Sequence, residues 1–252
     1  MTDAFHILVP TGSEQVTAQC WSCGDMLAAH FCDGCGKLQP AAPTDYFTFF
    51  GLSRKLTMDM PGLEREYYRL SRKLHPDLFA GSAAQEQQWS LEKSSQLNDA
   101  YRTLRDPIAR TEYLLKLEGV QLEEQSQTAT RNARATGTEK QQIVPPDLLE
   151  EVFELNMQLE ELRGNRKVGE QDENLERELT QQEDNFSARM KLLDEELRGA
   201  WMRWDALIAR SENGDAGLEP EYIVVRDQMV ALLNRRTYLR NLVRDVKDAL
   251  AN

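Results

Sequence analysis

The chain lacks several features that membrane, nucleic-acid-binding and secreted proteins need. No apolar run in its 252 residues approaches the roughly 20 residues that span a bilayer. The formal net charge of −12 disfavours nucleic-acid binding, because phosphate contacts need a basic surface. The first residues, MTDAFHILVPTGSEQ, contain no arginine and no basic segment before an apolar one, so we expect neither a signal peptide nor a transit peptide. These absences predict a cytoplasmic bacterial protein, and a processed form in the mitochondrial matrix is the alternative.

Cysteine is scarce but concentrated, since all four cysteines fall in the units CWSCG and CDGCG. Paired Cys-x2-Cys units suit tetrahedral zinc, because each pair can hold one edge of the ion. Gly24 and Gly36 follow the second cysteine of each unit, where the backbone must turn so that its N–H groups face the thiolates. We therefore predict a small structural zinc knuckle in a head of residues 1–43, with no open coordination position. The predicted ligands are Cys20, Cys23, Cys32 and Cys35.

Three other uses of these cysteines stay open, although zinc is favoured. A redox Cys-x2-Cys normally opens a helix within a βαβ pattern, which the sequence does not show. Disulfides need an oxidising compartment, which nothing in the sequence indicates. An iron–sulfur cluster could use the same four thiolates. We expect His30 to lie at the surface rather than bind the metal, and Gln39–Thr44 to form a short linker.

The segment LEREYYRLSRKLHPDLF, residues 63–79, predicts a helix with one apolar and one basic face. At about 100° per residue, the apolar residues share one stripe. They are Leu63, Tyr67, Leu70 and Leu74. The basic face on the opposite side comprises Arg65, Arg69, Arg72 and Lys73. The helix should end near His75, because Pro76 lacks an N–H and pushes the residue before it out of the helical region. We expect His75-Pro76-Asp77 to be presented at a stiff turn beside the basic face.

A basic helix followed directly by His75-Pro76-Asp77 resembles the J-domain of DnaJ-type co-chaperones. The segment LNDAYRTLRDP, residues 97–107, ends a helix expected over about 84–105 and matches the same pattern. Its apolar residues Leu97, Tyr101 and Leu104 can pack on the apolar stripe of the preceding helix in an antiparallel pair. We therefore expect a J-domain over residues 45–119.

The resemblance implies a function in trans, since in that family the tripeptide stimulates ATP hydrolysis by a DnaK-type chaperone. It implies that the tripeptide and the basic face bind this chaperone, with Asp77 paired to a basic residue of the ATPase. The chain itself would then not be an enzyme. Taken without its flanking helices, the tripeptide has another explanation, in which His75 and Asp77 only cap the neighbouring turns.

Beyond residue 119 the sequence predicts an insert and then a helical tail. Residues 120–144 carry no apolar periodicity and are expected to be flexible. Three helices are predicted over about 147–163, 171–210 and 219–250, with breaks at Gly164–Gly169 and Ser211–Gly217. Each carries an apolar stripe, so we expect an antiparallel three-helix bundle over 145–252 and an all-α chain.

Three apolar residues of the tail fall outside these stripes. Leu149 and Phe153 are four residues apart, roughly 100–140° from the core stripe of their helix, and Tyr238 lies roughly 140° from its own. Apolar residues outside a core suggest a surface for a protein partner. Packing of these residues against the J-domain or the long second helix is the alternative.

The opening DYFTFFGL, the segment RTEYLL and the acidic helical tail together resemble HscB-type J-proteins of iron–sulfur cluster assembly. The resemblance spans residues 46–250, and the cysteine pairs resemble the subset of that family with a zinc head. It implies that Leu149, Phe153 and Tyr238 bind an IscU-type scaffold protein. The J-domain would activate an HscA-like ATPase and so promote cluster transfer. Glu150 departs from the apolar residue that family members often have there.

The inserts near residues 120–144 and 164–170 lie outside the pattern shared with that family. A general co-chaperone for unfolded clients is the alternative function. Against it, neither a Gly/Phe-rich linker nor a β-rich client domain follows the J-domain in the sequence.

Overall fold

The computed structural model describes residues 19–25, 30–120 and 148–251, and their architecture confirms the all-α prediction. A 3₁₀ turn, Pro76–Phe79, joins the second and third of seven α-helices in these ranges. The helices are α1 Tyr46–Phe49, α2 Met60–Leu74, α3 Ala84–Arg105, α4 Pro107–Leu117, α5 Leu149–Lys167, α6 Glu173–Glu212 and α7 Glu219–Ala251. Across the described ranges, none of these helices combines the length and the apolar character needed to cross a membrane. The predicted insert at 120–144 lies outside the described residues except for its first residue.

The described residues form two compact units. The first comprises the residues up to Val120 together with Trp201–Ile223, and the second comprises α5, the α6 residues up to Ala200, and α7 from Val224. The sequence assigned all of residues 145–252 to one tail domain. The functional boundary between J-domain and tail stays a prediction. By packing, however, part of α6 belongs to the same unit as the J-domain.

The antiparallel pair of α2 and α3 forms the centre of the first unit. Leu70, Leu97 and Leu104 are almost fully buried. The rings of Tyr67 and Tyr101 stack with their centroids 4.1 Å apart, as the facing stripes predict. This packing accounts for the helical hairpin, because each helix buries its apolar face against the other.

The end of α2 is fixed by hydroxyl groups from α3. The helix ends before Pro76, and the Leu74 carbonyl accepts hydrogen bonds from Ser90 Oγ at 2.6 Å and Ser94 Oγ at 2.8 Å. Both bonds satisfy a carbonyl that the helix leaves unpaired where the chain turns. They hold the start of the His75-Pro76-Asp77 turn against α3.

The loop between α1 and α2 is bound by the first-unit part of α6. The carboxylate of Asp205 accepts the backbone N–H groups of Leu56 at 2.6 Å and Thr57 at 2.7 Å. Trp204 Nε1 donates to the Arg54 carbonyl at 3.0 Å. The buried Arg110 of α4 donates to the Leu56 carbonyl at 3.0 Å. Side chains of both α4 and α6 therefore hydrogen-bond to the backbone of this loop.

The structure confirms the three predicted tail helices, with one boundary corrected. α5 continues through Gly164 to Lys167, whereas the sequence predicted a break from Gly164 onward. A glycine inside a helix costs only about 1 kcal/mol, so one glycine does not end it. Gly169 has a positive φ of 77° and supplies the turn that the sequence pattern assigned to Gly164–Gly169 as a whole.

Ion pairs join α6 to the two other helices of the second unit. Arg189 pairs with Glu151 of α5 at 2.5 Å, and Asp194 pairs with Arg236 of α7 at 2.5 Å. The core between the helices contains the predicted stripe of α5. Its members are Leu148, Val152, Leu155, Leu159 and Leu162, and all five are buried. The apolar stripe predicted for α5 therefore forms part of the interior of this unit.

Candidate functional site

The His75-Pro76-Asp77 turn projects its two polar side chains into solvent. α2 ends at Leu74, and His75 takes an extended conformation with φ −60° and ψ 128°. His75 Nδ1 accepts the Asp77 backbone N–H at 3.3 Å, which caps the 3₁₀ turn that Pro76 begins. The His75 side chain is 55% exposed and the Asp77 side chain 88% exposed. Capping therefore uses the His75 ring and the Asp77 backbone, and the Asp77 carboxylate, 3.5 Å from His75 Nδ1, stays exposed.

The basic face of α2 lies beside this turn and is also exposed. Arg65 and Arg69 have side chains 74% and 52% exposed, and Arg72 and Lys73 are exposed as well. Arg69 donates to the Glu66 carboxylate at 2.7 and 2.5 Å. This pair raises the pKa of Arg69 and lowers the pKa of Glu66. The face therefore presents positive charge next to an aspartate, on a helix whose opposite side is buried.

The four cysteines come together at one point in the described part of the head. Their sulfur atoms all lie within 4.8 Å of one another, with Cys20 and Cys35 at 3.6 Å and Cys23 and Cys32 at 3.5 Å. A tetrahedral ion with metal–sulfur bonds of about 2.3 Å holds its sulfurs ~3.8 Å apart. All four thiols are free. These residues could therefore hold a metal ion.

The two cysteine units have the same backbone turn. The N–H of Gly24 donates to the Cys20 carbonyl at 2.9 Å, and the N–H of Gly36 donates to the Cys32 carbonyl at 2.8 Å. Both glycines have positive φ, 82° and 70°, which confirms why glycine follows each second cysteine. The Ser22 N–H points at Cys20 Sγ at 3.3 Å. Such turns aim N–H groups at sulfur, as a thiolate site requires.

The thiols of this cluster shift one another's pKa values. Burial raises the pKa of Cys20, but N–H groups of Cys23 and Ser22 and the neighbouring thiols outweigh it and lower the pKa to about 6. The Asp25 backbone lowers the pKa of Cys23, whereas burial and the three other sulfurs raise it, and the net shift is upward. Four adjacent thiols cannot ionise together without a cation between them. The donor set is therefore one that could hold a metal ion.

The head packs directly on the J-domain. Lys37 Nζ lies 3.1 Å from the Glu86 carboxylate of α3, whose side chain is only 7% exposed. The rings of Trp21 and Trp89 meet edge to face with centroids 5.6 Å apart. Leu38, next to Lys37, is 1% exposed. The cysteine head and α3 are therefore parts of the same unit.

His30 and Gln39 depart from their predicted positions. His30 is half-buried rather than at the surface, because Nε2 meets the Phe49 carbonyl at 3.0 Å and Nδ1 meets Lys93 Nζ at 3.4 Å. Burial, and then the charge of Lys93, lowers the pKa of His30 to about 4, so the ring is neutral near pH 7. It is not part of the four-cysteine cluster. Gln39 is 2% exposed, so the linker begins after it.

An exposed apolar stripe runs along α5, and we call it the α5 stripe. It consists of Leu149, Phe153 and Met157, which are 54%, 67% and 56% exposed. The sequence placed Leu149 and Phe153 outside the core, and their exposure confirms that geometry. Met157 was missed, although its spacing of four from Phe153 continues the same face.

Tyr238 does not belong to this surface. The sequence predicted it outside the core of its helix, but it is 4% exposed, and burial raises its pKa. α7 is held by α6 through Asp194 and by α5 through Arg166, which donates to the Ala249 carbonyl. A helix with two neighbours buries a wider face than one stripe, and this face includes Tyr238.

Comparisons with known proteins agree with this geometry. Residues 45–113 match the DnaJ domain family. The iron–sulfur cluster co-chaperone HscB homologue of Arabidopsis thaliana is 32% identical over 170 residues, which cover 67% of this chain and 62% of that protein. The mouse iron–sulfur cluster co-chaperone HscB is 38% identical over 117 residues, covering 44% of this chain and 50% of its own length.

A bacterial relative and a solved structure extend the comparison. The HscB co-chaperone homologue of Neisseria meningitidis serogroup C is 42% identical over 86 residues, which cover 34% of this chain and 52% of that protein. The chain thus spans about half to three fifths of the length of these curated relatives. The crystal structure of human HscB shares the fold, with a TM-score of 0.59 at 24% identity over 91% of this chain and 97% of that one.

Proposed function

We propose that this relative of the HscB co-chaperones, which carries a four-cysteine cluster ahead of a DnaJ domain, is an adaptor of iron–sulfur cluster assembly. It binds an HscA-like chaperone of the DnaK type and stimulates its ATPase, and it binds an IscU-type scaffold protein with its second unit. It has no catalytic chemistry of its own. The observation that carries the proposal is the exposed His75-Pro76-Asp77 turn beside the exposed basic face of α2.

On the chaperone side, recognition is electrostatic. The Asp77 carboxylate pairs with a basic residue of the ATPase, and the four basic residues of α2 contact an acidic surface. Exposed charges of this kind act mainly on the association rate and lose strength as salt is added. Pro76 and the hydroxyl bonds from α3 keep the turn rigid, which reduces the conformational entropy lost on binding.

On the scaffold side, recognition is apolar and uses the α5 stripe. Three large apolar side chains spaced by four residues form a continuous strip along one helix face. Phe153, at the centre and most exposed of the three, is the expected main contact, since buried aromatic side chains dominate binding energy in small interfaces. Tyr238 is excluded from this proposal because it is buried. Glu150 would lie at the polar edge of the contact.

In the head, zinc is the proposed metal. Four cysteine sulfurs at tetrahedral spacing, with no fifth ligand grouped with them in the part of the chain that the structure describes, suit a closed, structural site. Cys20, Cys23, Cys32 and Cys35 would hold the ion, and its charge would allow the four sulfurs to be ionised together. The free thiols suit a reducing compartment, so we place the protein in the bacterial cytoplasm, with the mitochondrial matrix as the alternative.

The test is a steady-state ATPase assay with purified chaperone, with and without scaffold protein. His75→Gln should remove stimulation under both conditions. Phe153→Ala should weaken only the part that depends on scaffold, by roughly 30-fold in scaffold affinity if it contributes about 2 kcal/mol. A general co-chaperone for unfolded clients would instead respond to denatured proteins in place of the scaffold.

Matched controls separate each site from general damage. Glu92→Gln changes an exposed residue of α3 that is not part of the turn, and Leu192→Ala removes an apolar side chain that is 59% exposed on α6. Both should behave as the unmodified chain. Stimulation that survives His75→Gln would contradict the chaperone half, and equal effects of Leu192→Ala and Phe153→Ala would contradict the scaffold half.

A further inference from the structure

A buried amide lies against the cysteine cluster, and the proposed zinc site gives it no role. Gln39 is 2% exposed and is held in place by its backbone N–H, which donates to the His30 carbonyl at 3.0 Å. Its side-chain Nε2 lies 3.3 Å from Cys20 Sγ and 2.8 Å from the Lys37 carbonyl. A glutamine buried this completely usually has a specific hydrogen-bonding role.

The orientation of this amide follows from its two neighbours. Sulfur and a carbonyl oxygen both accept hydrogen bonds, so the NH₂ end must face them. The reversed amide would place Oε1 against two acceptors. With the NH₂ group facing these two acceptors, Oε1 is buried, and among the described residues it has no hydrogen-bond partner. Both N–H groups of this amide donate hydrogen bonds, whereas its oxygen accepts none. The side chain therefore acts here as a hydrogen-bond donor.

Cys20 is, with Cys32, one of the two buried cysteines, and it needs hydrogen-bond donors from the protein. It is 4% exposed, whereas Cys23 and Cys35 are exposed, so water cannot solvate its charge to the same extent. The Ser22 N–H provides one donor at 3.3 Å and Gln39 Nε2 provides another at the same distance. Donors to a metal-bound thiolate withdraw electron density from sulfur and fix its position, and losing them weakens the site.

We propose that Gln39 is a positioning residue of the metal centre, whose side-chain N–H holds the Cys20 thiolate and slows metal release. The inference rests on the proposed metal site at the four cysteines. It adds a residue outside the two Cys-x2-Cys units, at a position where sequence reasoning placed the start of a linker.

The test compares the full-length chain with Gln39→Met, which keeps similar length and volume but has no amide. Transfer of Zn²⁺ to a chromogenic chelator should be 10- to 100-fold faster in the variant, the range typical for loss of an outer hydrogen bond. In the Co²⁺-substituted chain, the sulfur-to-cobalt charge-transfer band should move to lower energy, because Cys20 donates more electron density. A merely structural role would not move that band.

Gln88→Met, at an exposed position of α3, is the matched control and should change neither readout. A measurement on the unmodified chain avoids dependence on the variant's folding: after loading with ¹¹³Cd²⁺, a scalar coupling through Cys20 sulfur should connect cadmium to the Gln39 side-chain N–H. Release within twofold of the unmodified chain with an unmoved band, or absence of that coupling, would overturn the inference. If the unmodified chain binds neither Zn²⁺ nor Co²⁺, the metal site itself is wrong and the inference falls with it.

Discussion

Replacing Asp205 by asparagine should loosen the J-domain loop without touching any residue that binds a partner. Its carboxylate accepts two backbone N–H groups, from Leu56 at 2.6 Å and Thr57 at 2.7 Å. An asparagine side chain keeps one acceptor oxygen and turns an NH₂ group toward the other N–H. A hydrogen bond to a charged group contributes about 1.5–3 kcal/mol, and the Thr57 bond is open to solvent. We expect a loss of about 2 kcal/mol in the free energy that keeps this loop closed.

Hydrogen exchange read residue by residue is the assay. A loss of about 2 kcal/mol corresponds to roughly 30-fold faster exchange of the Leu56 and Thr57 amides under native conditions. Glu195→Gln, on the same helix and 68% exposed, is the control and should change exchange at these amides by less than twofold. Exchange in Asp205→Asn that stays within twofold of the unmodified chain would refute the reasoning that this carboxylate fixes the loop.

Three further predictions concern stability. Lys37→Met removes the ion pair with the buried Glu86 carboxylate and should lower the free energy of unfolding, measured in urea, by about 1 kcal/mol. The value is small because Lys37 is half exposed. An unchanged urea midpoint would contradict the packing of the head on α3. Tyr238→Ala should lower the stability of the second unit by about 3 kcal/mol through a cavity, and a variant that lost only scaffold binding would contradict its burial. Burial lowers the pKa of Lys93 from 10.5 to about 8, so the folded state binds its proton less readily than the unfolded state does. Lys93→Met should therefore be more stable than the unmodified chain at pH 7, with the gain shrinking as the pH rises through 8 toward 10.5; a gain that does not shrink would contradict this assignment.

The spacing of apolar residues predicted the buried face correctly where one face of a helix packs against one other helix. The facing stripes of α2 and α3 predicted the Tyr67 and Tyr101 contact, and Pro76 predicted the end of α2 at Leu74. The cysteine spacing with its two glycines predicted the cluster, because the ligands of each pair are close in sequence and the turn is local. Each of these predictions rests on residue spacing within one helix or one cysteine unit, which can be read directly from the sequence.

The failures concern contacts between distant segments. Tyr238 is buried because α7 packs against two other helices. The apolar pattern of one helix does not reveal how many helices pack against it. His30 is half-buried and Gln39 is buried because the head folds onto α1 and α3, which no local pattern indicates. The grouping of Trp201–Ile223 with the J-domain depends on the same kind of contact, through Asp205.

The most direct test of the adaptor mechanism asks whether its two sites must be on one chain. His75→Gln keeps the scaffold surface and Phe153→Ala keeps the J-domain, so a mixture of the two variants contains both functions on separate molecules. If the chain works by holding both partners at high effective concentration, the mixture should give no more scaffold-dependent ATPase stimulation than Phe153→Ala alone. Stimulation by the mixture equal to that of the unmodified chain would contradict the adaptor mechanism.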